Sequence, residues 1–244
     1  MNFRFTWQRY CFPMVTQPRS ATLTAHVHEQ LRAEILGNVF APGSPLRLAV
    51  LSKRYGTSMS VIREALVRLT EQHLVVLLPN QGFRVTEISR EDLIDVTELR
   101  IMLEGLALRR SIENGDMDWE ARVVSSHHVL ERAELHREGE PGTTAEWSAA
   151  HAAFHDALGT ASGSQRLIGM VRGLRDSSEL YRQLSGVGVA EAKRDVPAEH
   201  RELMELACDR RADEAVAALG RHLQCTTDLL LQAALAEDGG GRYN

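Results

Sequence analysis

The sequence has little cysteine, almost no lysine and no long apolar run, and each scarcity removes a class of protein. Three cysteines, Cys11, Cys208 and Cys225, are odd in number and show no C-x-x-C spacing. That excludes a disulfide framework and a zinc ribbon and points to reduced thiols in a cytoplasmic setting. No stretch approaches the roughly 18 consecutive apolar residues of a membrane-spanning helix, so no membrane partner is expected. In the leader, Arg4, Gln8 and Arg9 interrupt the apolar residues, so an export signal is not expected either. Only Lys53 and Lys193 are lysine. Codon bias is the main reading of that scarcity, although guanidinium also suits bidentate phosphate contacts.

What is present fits a folded chain of one large or two modest domains: 244 residues, 43% hydrophobic and 25% charged. The net charge of −5 hides a division. Residues 1–90 carry 11 Lys and Arg against 5 Asp and Glu, whereas residues 91–244 carry 17 against 28. A basic front and an acidic rear suggest a polyanion-binding domain joined to one that needs no polyanion.

In the front, Leu23, Val27, Leu31, Ile35 and Leu36 recur at helical spacing over residues 22–37, and Gly37-Asn38 stops the run. Leu48, Leu51 and Tyr55 mark a short second helix ended by Gly56. Ser58 stands as the N-cap of a third, running from about Met59 to Gln72, which should bury Ile62, Leu66 and Leu69 and turn Ser60, Arg63 and Arg68 to other faces. Residues 74–78 and 83–86 read as two strands around Pro79-Asn80-Gln81-Gly82, a β-hairpin wing with Gly82 at its tip and Arg84 beside it. Any one of these features has an ordinary structural reading; the ordered set predicts a winged helix-turn-helix at 21–88.

This stretch resembles the N-terminal domain of GntR-family transcription regulators. The resemblance rests on Gly37 with Pro42-Gly43, on Ser58 followed by Arg63-Glu64-Ala65-Leu66, and on Pro79, Gly82 and Val85 in the wing. It implies a double-stranded, pseudo-palindromic DNA operator read by a homodimer, with Arg63 contacting the operator and Glu64 fixing the recognition helix. Arg47, Ser58, Ser60, Arg68, Gly82 and Arg84 complete the candidate DNA-binding set. Met59 and Val61 depart from the arginine and proline common in the family, so an operator other than its commonest one is expected.

From residue 90 to 237 apolar residues recur at three and four, which predicts six helices at about 91–113, 116–138, 143–161, 164–184, 190–209 and 212–235. The fold expected is therefore mainly α: a winged helix-turn-helix followed by an all-α bundle at 89–237, between a leader at 1–20 and a disordered tail at 238–244. The leader reads as a disordered extension, an alternative start at Met14 or an arm into a DNA groove. The sharpest chemical signal is His151-Ala-Ala-Phe-His155, two imidazoles one turn apart on one helix face, a spacing that chelates a metal. By spacing alone, surface or packing roles are commoner for such a pair. His200 and His222 lie on the last two helices among inward-facing apolar residues. Cys225 is expected to be buried and inert, and His26, His28, His73, His127, His128 and His136 to be surface residues or satisfied neighbours.

The rear resembles the all-helical FCD effector domain of the FadR-type branch of GntR regulators, through Arg100 and Glu104, Phe154-His155, Glu199-His200 and His222-Leu223. It implies a metal site and a carboxylate effector. His151 stands where the family has an aspartate ligand, and Ser164 where asparagine is common. A shell of His151, His155, His200 and His222 brings no negative charge, so a divalent ion bound there keeps its full charge. That favours a transition metal, Zn(II) or Ni(II) first, and attracts a small carboxylate effector, with Arg100 and Glu104 at the effector site. A surface ion pair between Arg100 and Glu104 accounts for those two equally well. The function expected is a ligand-responsive DNA-binding regulator, with repression relieved by ligand. The alternative is a His-ligated metal-dependent hydrolase or lyase with an accessory nucleic-acid head. His-Ala-Ala-Phe-His lacks the glutamate base of a hydrolytic H-E-x-x-H, so no enzyme is expected.

Overall fold

A computed structural model describes residues 19–87, 89–137, 143–184 and 194–240, the side chains at 19–22 and 233–240 excepted. Most of the leader, the end of the tail and the expected breaks at 139–142 and 186–188 lie outside these residues. Among the described residues the order is α1 Arg19–Leu36, α2 Leu48–Tyr55, α3 Met59–Glu71, β1 Val75–Leu78, β2 Gly82–Val85, α4 Arg90–Asn114, α5 Met117–Arg132, α6 Ala145–Gly159, α7 Gln165–Leu184, α8 Val196–Cys208 and α9 Ala212–Gly240.

The punctuation is chemical. Gly56, at φ 61°, closes α2, and the Ser58 hydroxyl accepts from Val61 N to open α3. Ser89, Asp116, Thr144 and Asp195 cap α4, α5, α6 and α8 in the same way, each accepting from the amide three residues on. Thr144 moves the start of α6 to residue 145, two residues inside the expected bound. α5 ends at Arg132, six residues early, where Ala133 turns to extended backbone. Thr144 then binds back to the following segment, its hydroxyl to Glu134 O and its amide to Leu135 O. β1 and β2 pair antiparallel with Val75 opposite Val85 and Leu78 opposite Gly82, whose φ of 79° serves the wing tip.

Two apolar cores result. Val27, Leu31, Ile35, Ile62, Leu66 and Leu69 pack with Phe83 and Val85 in the front, and Leu180 of α7 enters this same core. In the rear, Trp119, Val123, Phe154, Leu158, Leu203 and Leu219 join α5, α6, α8 and α9, with α4 lying across α9 and α7. Two expectations are corrected. Leu23 is 42% exposed, because Thr24 takes the inward position on α1 and donates to Glu64 Oε2 at 3.3 Å. Cys225 is exposed rather than buried. Among the described residues no helix is long and apolar enough to cross a membrane.

Candidate metal centre

The front head assembles its polar face from three elements. Arg47 leads into α2, Arg63 stands on α3, and Gly82 and Arg84 belong to the wing; together they line one hollow between wing and helix. The Arg63 guanidinium lies 6.0 Å from the centre of the Phe83 ring. Arg84 turns inward and donates to Gly43 O at 2.6 Å. Ser58 and Ser60 share a 2.8 Å hydroxyl contact at the exposed start of α3. Arg68 binds Glu64 at 2.7 Å on the same helix, and Thr24 ties Glu64 back to α1.

In the rear, one turn of α6 carries His151 and His155, while α8 and α9 bring in His200 and His222. The four rings converge. Each offers a nitrogen, and these atoms lie within 4.8 Å of one another. A tetrahedral Zn(II) site with Zn–N of about 2.0–2.1 Å sets its ligands about 3.4 Å apart, so small rotations of the rings would close the set. His155, His200 and His222 are almost fully buried. Both ring nitrogens of His155, and Nε2 of His200, are buried without a hydrogen-bond partner. Such an orphaned nitrogen is costly, and an ion would satisfy it, so the donors present fit a metal.

The electrostatics agree. Burial drives the pKa of His151, His155 and His200 well below the usual imidazole value, with the neighbouring cations adding to the shift, so these rings are neutral and offer lone pairs. Burial also lowers His222, although Glu199 opposes it. His222 Nδ1 meets Glu199 Oε2 at 2.8 Å. Arg194 Nη2 lies 3.1 Å from the same Nδ1, so Glu199 and Arg194 together hold this edge of the ring, and an outer carboxylate so placed orients a metal-bound histidine. Burial raises the pKa of Glu199, but hydrogen bonds from His222 and Arg194 outweigh it and bring the carboxyl to about 2.

A cavity of about 490 Å³ opens beside the cluster, lined by His151, His155 and His222 and by Arg100, Arg175, Arg182 and Arg194. Arg100 donates to Glu104 Oε1 at 2.8 Å and to Ser178 Oγ at 2.7 Å. Glu104 sits outside the cavity lining as a buried counter-ion, with Arg175 Nε 2.9 Å from its other oxygen. Burial raises the Glu104 pKa, and Arg175 and Arg100 overcome this to lower it. The i, i+4 ion pair therefore exists, buried rather than on the surface where the sequence reading places it, and Arg100 still faces the cavity.

Two family models match the chain: bacterial regulatory proteins, gntR family, over residues 23–85, and the FCD domain over residues 95–224. The uncharacterized HTH-type transcriptional regulator BphR of Paraburkholderia xenovorans is 36% identical across 85% of this chain and 84% of that protein. This chain belongs to the GntR family and carries an FCD domain. The HTH-type transcriptional repressor GlaR of Escherichia coli is 29% identical over 83% of the chain and 93% of its own length. Among solved structures, E. coli McbR/YncC aligns with a TM-score of 0.69 at 21% identity, over 86% of this chain and 97% of that one, which speaks for the fold. This GntR regulator is thus a DNA-binding transcription regulator, and the relatives it resembles are regulators rather than enzymes.

Sequence reasoning missed several residues around the cavity. Arg175, Ser178 and Arg182 recur at three and four along α7, a polar stripe that marks an inward-facing wall. Trp147, four residues before His151, stacks on it with centroids 4.6 Å apart, and the Arg182 guanidinium lies 4.9 Å from the centre of the same indole. Arg194 braces Glu199 with two nitrogens and reaches Thr226 at 2.8 Å.

Proposed function

We propose that this GntR regulator is a cytoplasmic, homodimeric repressor whose helical domain holds a divalent transition metal, Zn(II) or Ni(II), and whose operator affinity falls when a small carboxylate effector enters the cavity beside that metal. His151, His155, His200 and His222 are the ligands. The observation that carries the reading is the convergence of four imidazoles, two of them (His155 and His200) with buried nitrogens that have no hydrogen-bond partner, beside a cavity walled by arginine. A bound ion would supply undiminished positive charge at the cavity floor, which together with the guanidinium of Arg100 selects for an anion. The hydrolase or lyase alternative has no support in the site or among the relatives.

At the front, Arg47, Ser58, Ser60, Arg63, Arg68 and Gly82 form the DNA-facing set, with Arg84, turned inward onto Gly43 O, bracing the wing, α3 as the helix entering the major groove and the wing approaching the flanking backbone. α7 supplies the link between the sites. It walls the cavity through Arg175, Ser178 and Arg182, while its Asp176 is ion-paired with Arg32 of α1 and its Leu180 is buried in the front core. A ligand that moves α7 moves the reading head, and the coupling appears as a change in operator affinity.

The test is a release screen. The protein is bound to a fragment of duplex DNA selected from random sequence for tight binding, and small mono-, di- and tricarboxylates are added to zinc-loaded, nickel-loaded and chelator-stripped samples. The expected result is release by a carboxylate from metal-loaded protein and its loss on stripping. Release unaffected by stripping, or by His155→Ala, would remove the metal from the account.

A further inference from the structure

The rear domain leaves one helix face uncovered. On α4, Ile94, Leu99, Met102 and Leu106 are exposed, Met102 to 67%. At about 100° per residue these side chains fall on one stripe centred on Met102. Large apolar side chains grouped in this way mark an interface more often than a solvated surface. The charges on the stripe are ordered. Glu91, Asp95 and Glu98 lie on the N-terminal side of Met102, and Arg109 and Arg110 on the C-terminal side. Asp95 and Arg109 stand seven residues from Met102 in opposite directions.

That arrangement is self-complementary under a two-fold rotation. Laid antiparallel on a second copy of itself with Met102 at the axis, α4 sets Asp95 against Arg109 of the other copy, twice, and brings Glu98 within one turn of Arg110. Leu99, Met102 and Leu106 fill the centre. A parallel pairing would put the acidic ends together and the basic ends together. An isologous contact requires a patch that complements itself, and within seven residues of Met102 this stripe does so in sign; further out Glu91 faces Glu113. Glu91 and Glu113 sit eleven residues out, at the ends, where a crossing angle of about 20° moves the two helices apart. Arg109 already meets Asp213 at 2.6 Å on a largely exposed surface, a contact it can share or exchange at little cost.

We infer that α4 is the face on which two copies of this chain join, antiparallel about Met102, with Asp95 and Arg109 as the reciprocal charge pair. The inference rests on the homodimer reading above and adds its location. The consequence is geometric: α4 follows the wing directly and packs on α7, so this interface sets the separation of the two reading heads.

The test is the dissociation constant of the purified full-length dimer, from sedimentation velocity over a nanomolar to micromolar range. Met102→Arg places two cations at the axis and should weaken the dimer at least tenfold. Asp95→Arg alone and Arg109→Asp alone should each weaken it, and the two together should restore it, with circular dichroism confirming that every variant is folded. A dimer indifferent to Met102→Arg, or a double exchange no tighter than the single ones, overturns the α4 interface while the homodimer reading stands. A wild-type chain that stays monomeric across the range, with or without duplex DNA, overturns both.

Discussion

Replacing His155 by leucine gives a perturbation whose sign depends on the metal. Both imidazole nitrogens of His155 are buried without a hydrogen-bond partner, Nδ1 lying 3.8 Å from a Glu104 carboxylate oxygen. Each such group costs about 1–3 kcal/mol relative to a satisfied one, whereas a leucine fills similar space without a polar atom. The stripped His155→Leu protein should therefore melt at or above the wild-type temperature, where an ordinary core substitution would lower it. With metal the order reverses. An ion held at a hundred times its dissociation constant stabilises the native state by about 2.7 kcal/mol. At about 2–4 °C per kcal/mol for a chain of this size, the wild type should gain about 5–11 °C on adding Zn(II) or Ni(II). The variant, with one of four ligands gone, should gain little at the same free metal concentration. Scanning calorimetry on stripped and metal-buffered samples measures all four melting temperatures. Equal metal-induced shifts in wild type and variant would refute the four-histidine shell. A stripped variant several degrees less stable than stripped wild type would refute the claim that these nitrogens are orphaned.

Other consequences follow from the same geometry. Arg63→Ala should weaken binding to a selected duplex by about 1–3 kcal/mol and flatten its salt dependence, read by fluorescence anisotropy across a salt series; an unchanged affinity would remove α3 from the groove. Asp176→Asn breaks a two-nitrogen ion pair between α7 and Arg32 of α1, and should reduce the ratio of operator affinities of metal-loaded protein without and with the releasing carboxylate by about 0.5–2 kcal/mol, with the metal affinity itself unmoved. Gly115→Ala sends a methyl group into the buried Trp119 ring and the Ser111 carbonyl. It should destabilise the fold by about 1–3 kcal/mol in chemical denaturation, and a neutral result would mean that the α4–α5 corner yields.

Much of the fold was legible because it is written in short-range chemistry. The serine before α3, the glycine after α2 and the Asn80–Gly82 turn each fix a boundary by local hydrogen bonding or backbone conformation. Leu23 misled because apolar counting passes over a threonine that pairs with a glutamate forty residues away. Cys225 misled for an angular reason. The inward face of α9 runs through Leu219, His222, Leu223 and Leu230; at about 100° per residue the leucines lie about 60–100° to one side of His222 and Cys225 about 60° to the other, beyond the edge of that face. Spacing alone revealed the pair on α6, but periodicity cannot say that helices forty-five and sixty-seven residues downstream converge on it; the resemblance of Glu199-His200 and His222-Leu223 to a known pattern supplied that. Arg175 and Arg182 escaped because an arginine on an amphipathic helix reads as solvent-facing until its carboxylate partners are found.

Those partners bear on how the proposed carboxylate effector would be sensed. Arg100 and Arg175 are balanced by Glu104, Arg182 by Glu179 and Arg194 by Glu199. An incoming carboxylate therefore does not meet spare cations; it competes with carboxylates that already hold them. A ligand shifts an equilibrium only through interactions that differ between the two states. Here the difference lies in exchange, since drawing Arg100 or Arg175 toward the cavity loosens its hold on Glu104 and, for Arg175, on Asp156 and the His155 carbonyl. Two contacts join α4 to α7 here: Arg175 of α7 donates to Glu104, and Arg100 of α4 donates to Ser178 Oγ. On the next faces of α7, Asp176 and Leu180 engage the reading head, and Tyr181 donates to Asp92 at 2.6 Å while accepting from the amide of Ser89 at 3.2 Å. On the function proposed above, the charges that would recognise the effector are the charges that tie α7 to α4, and the same helix meets the first turn of α4 and α1, so binding of the effector and release of the head would be one rearrangement.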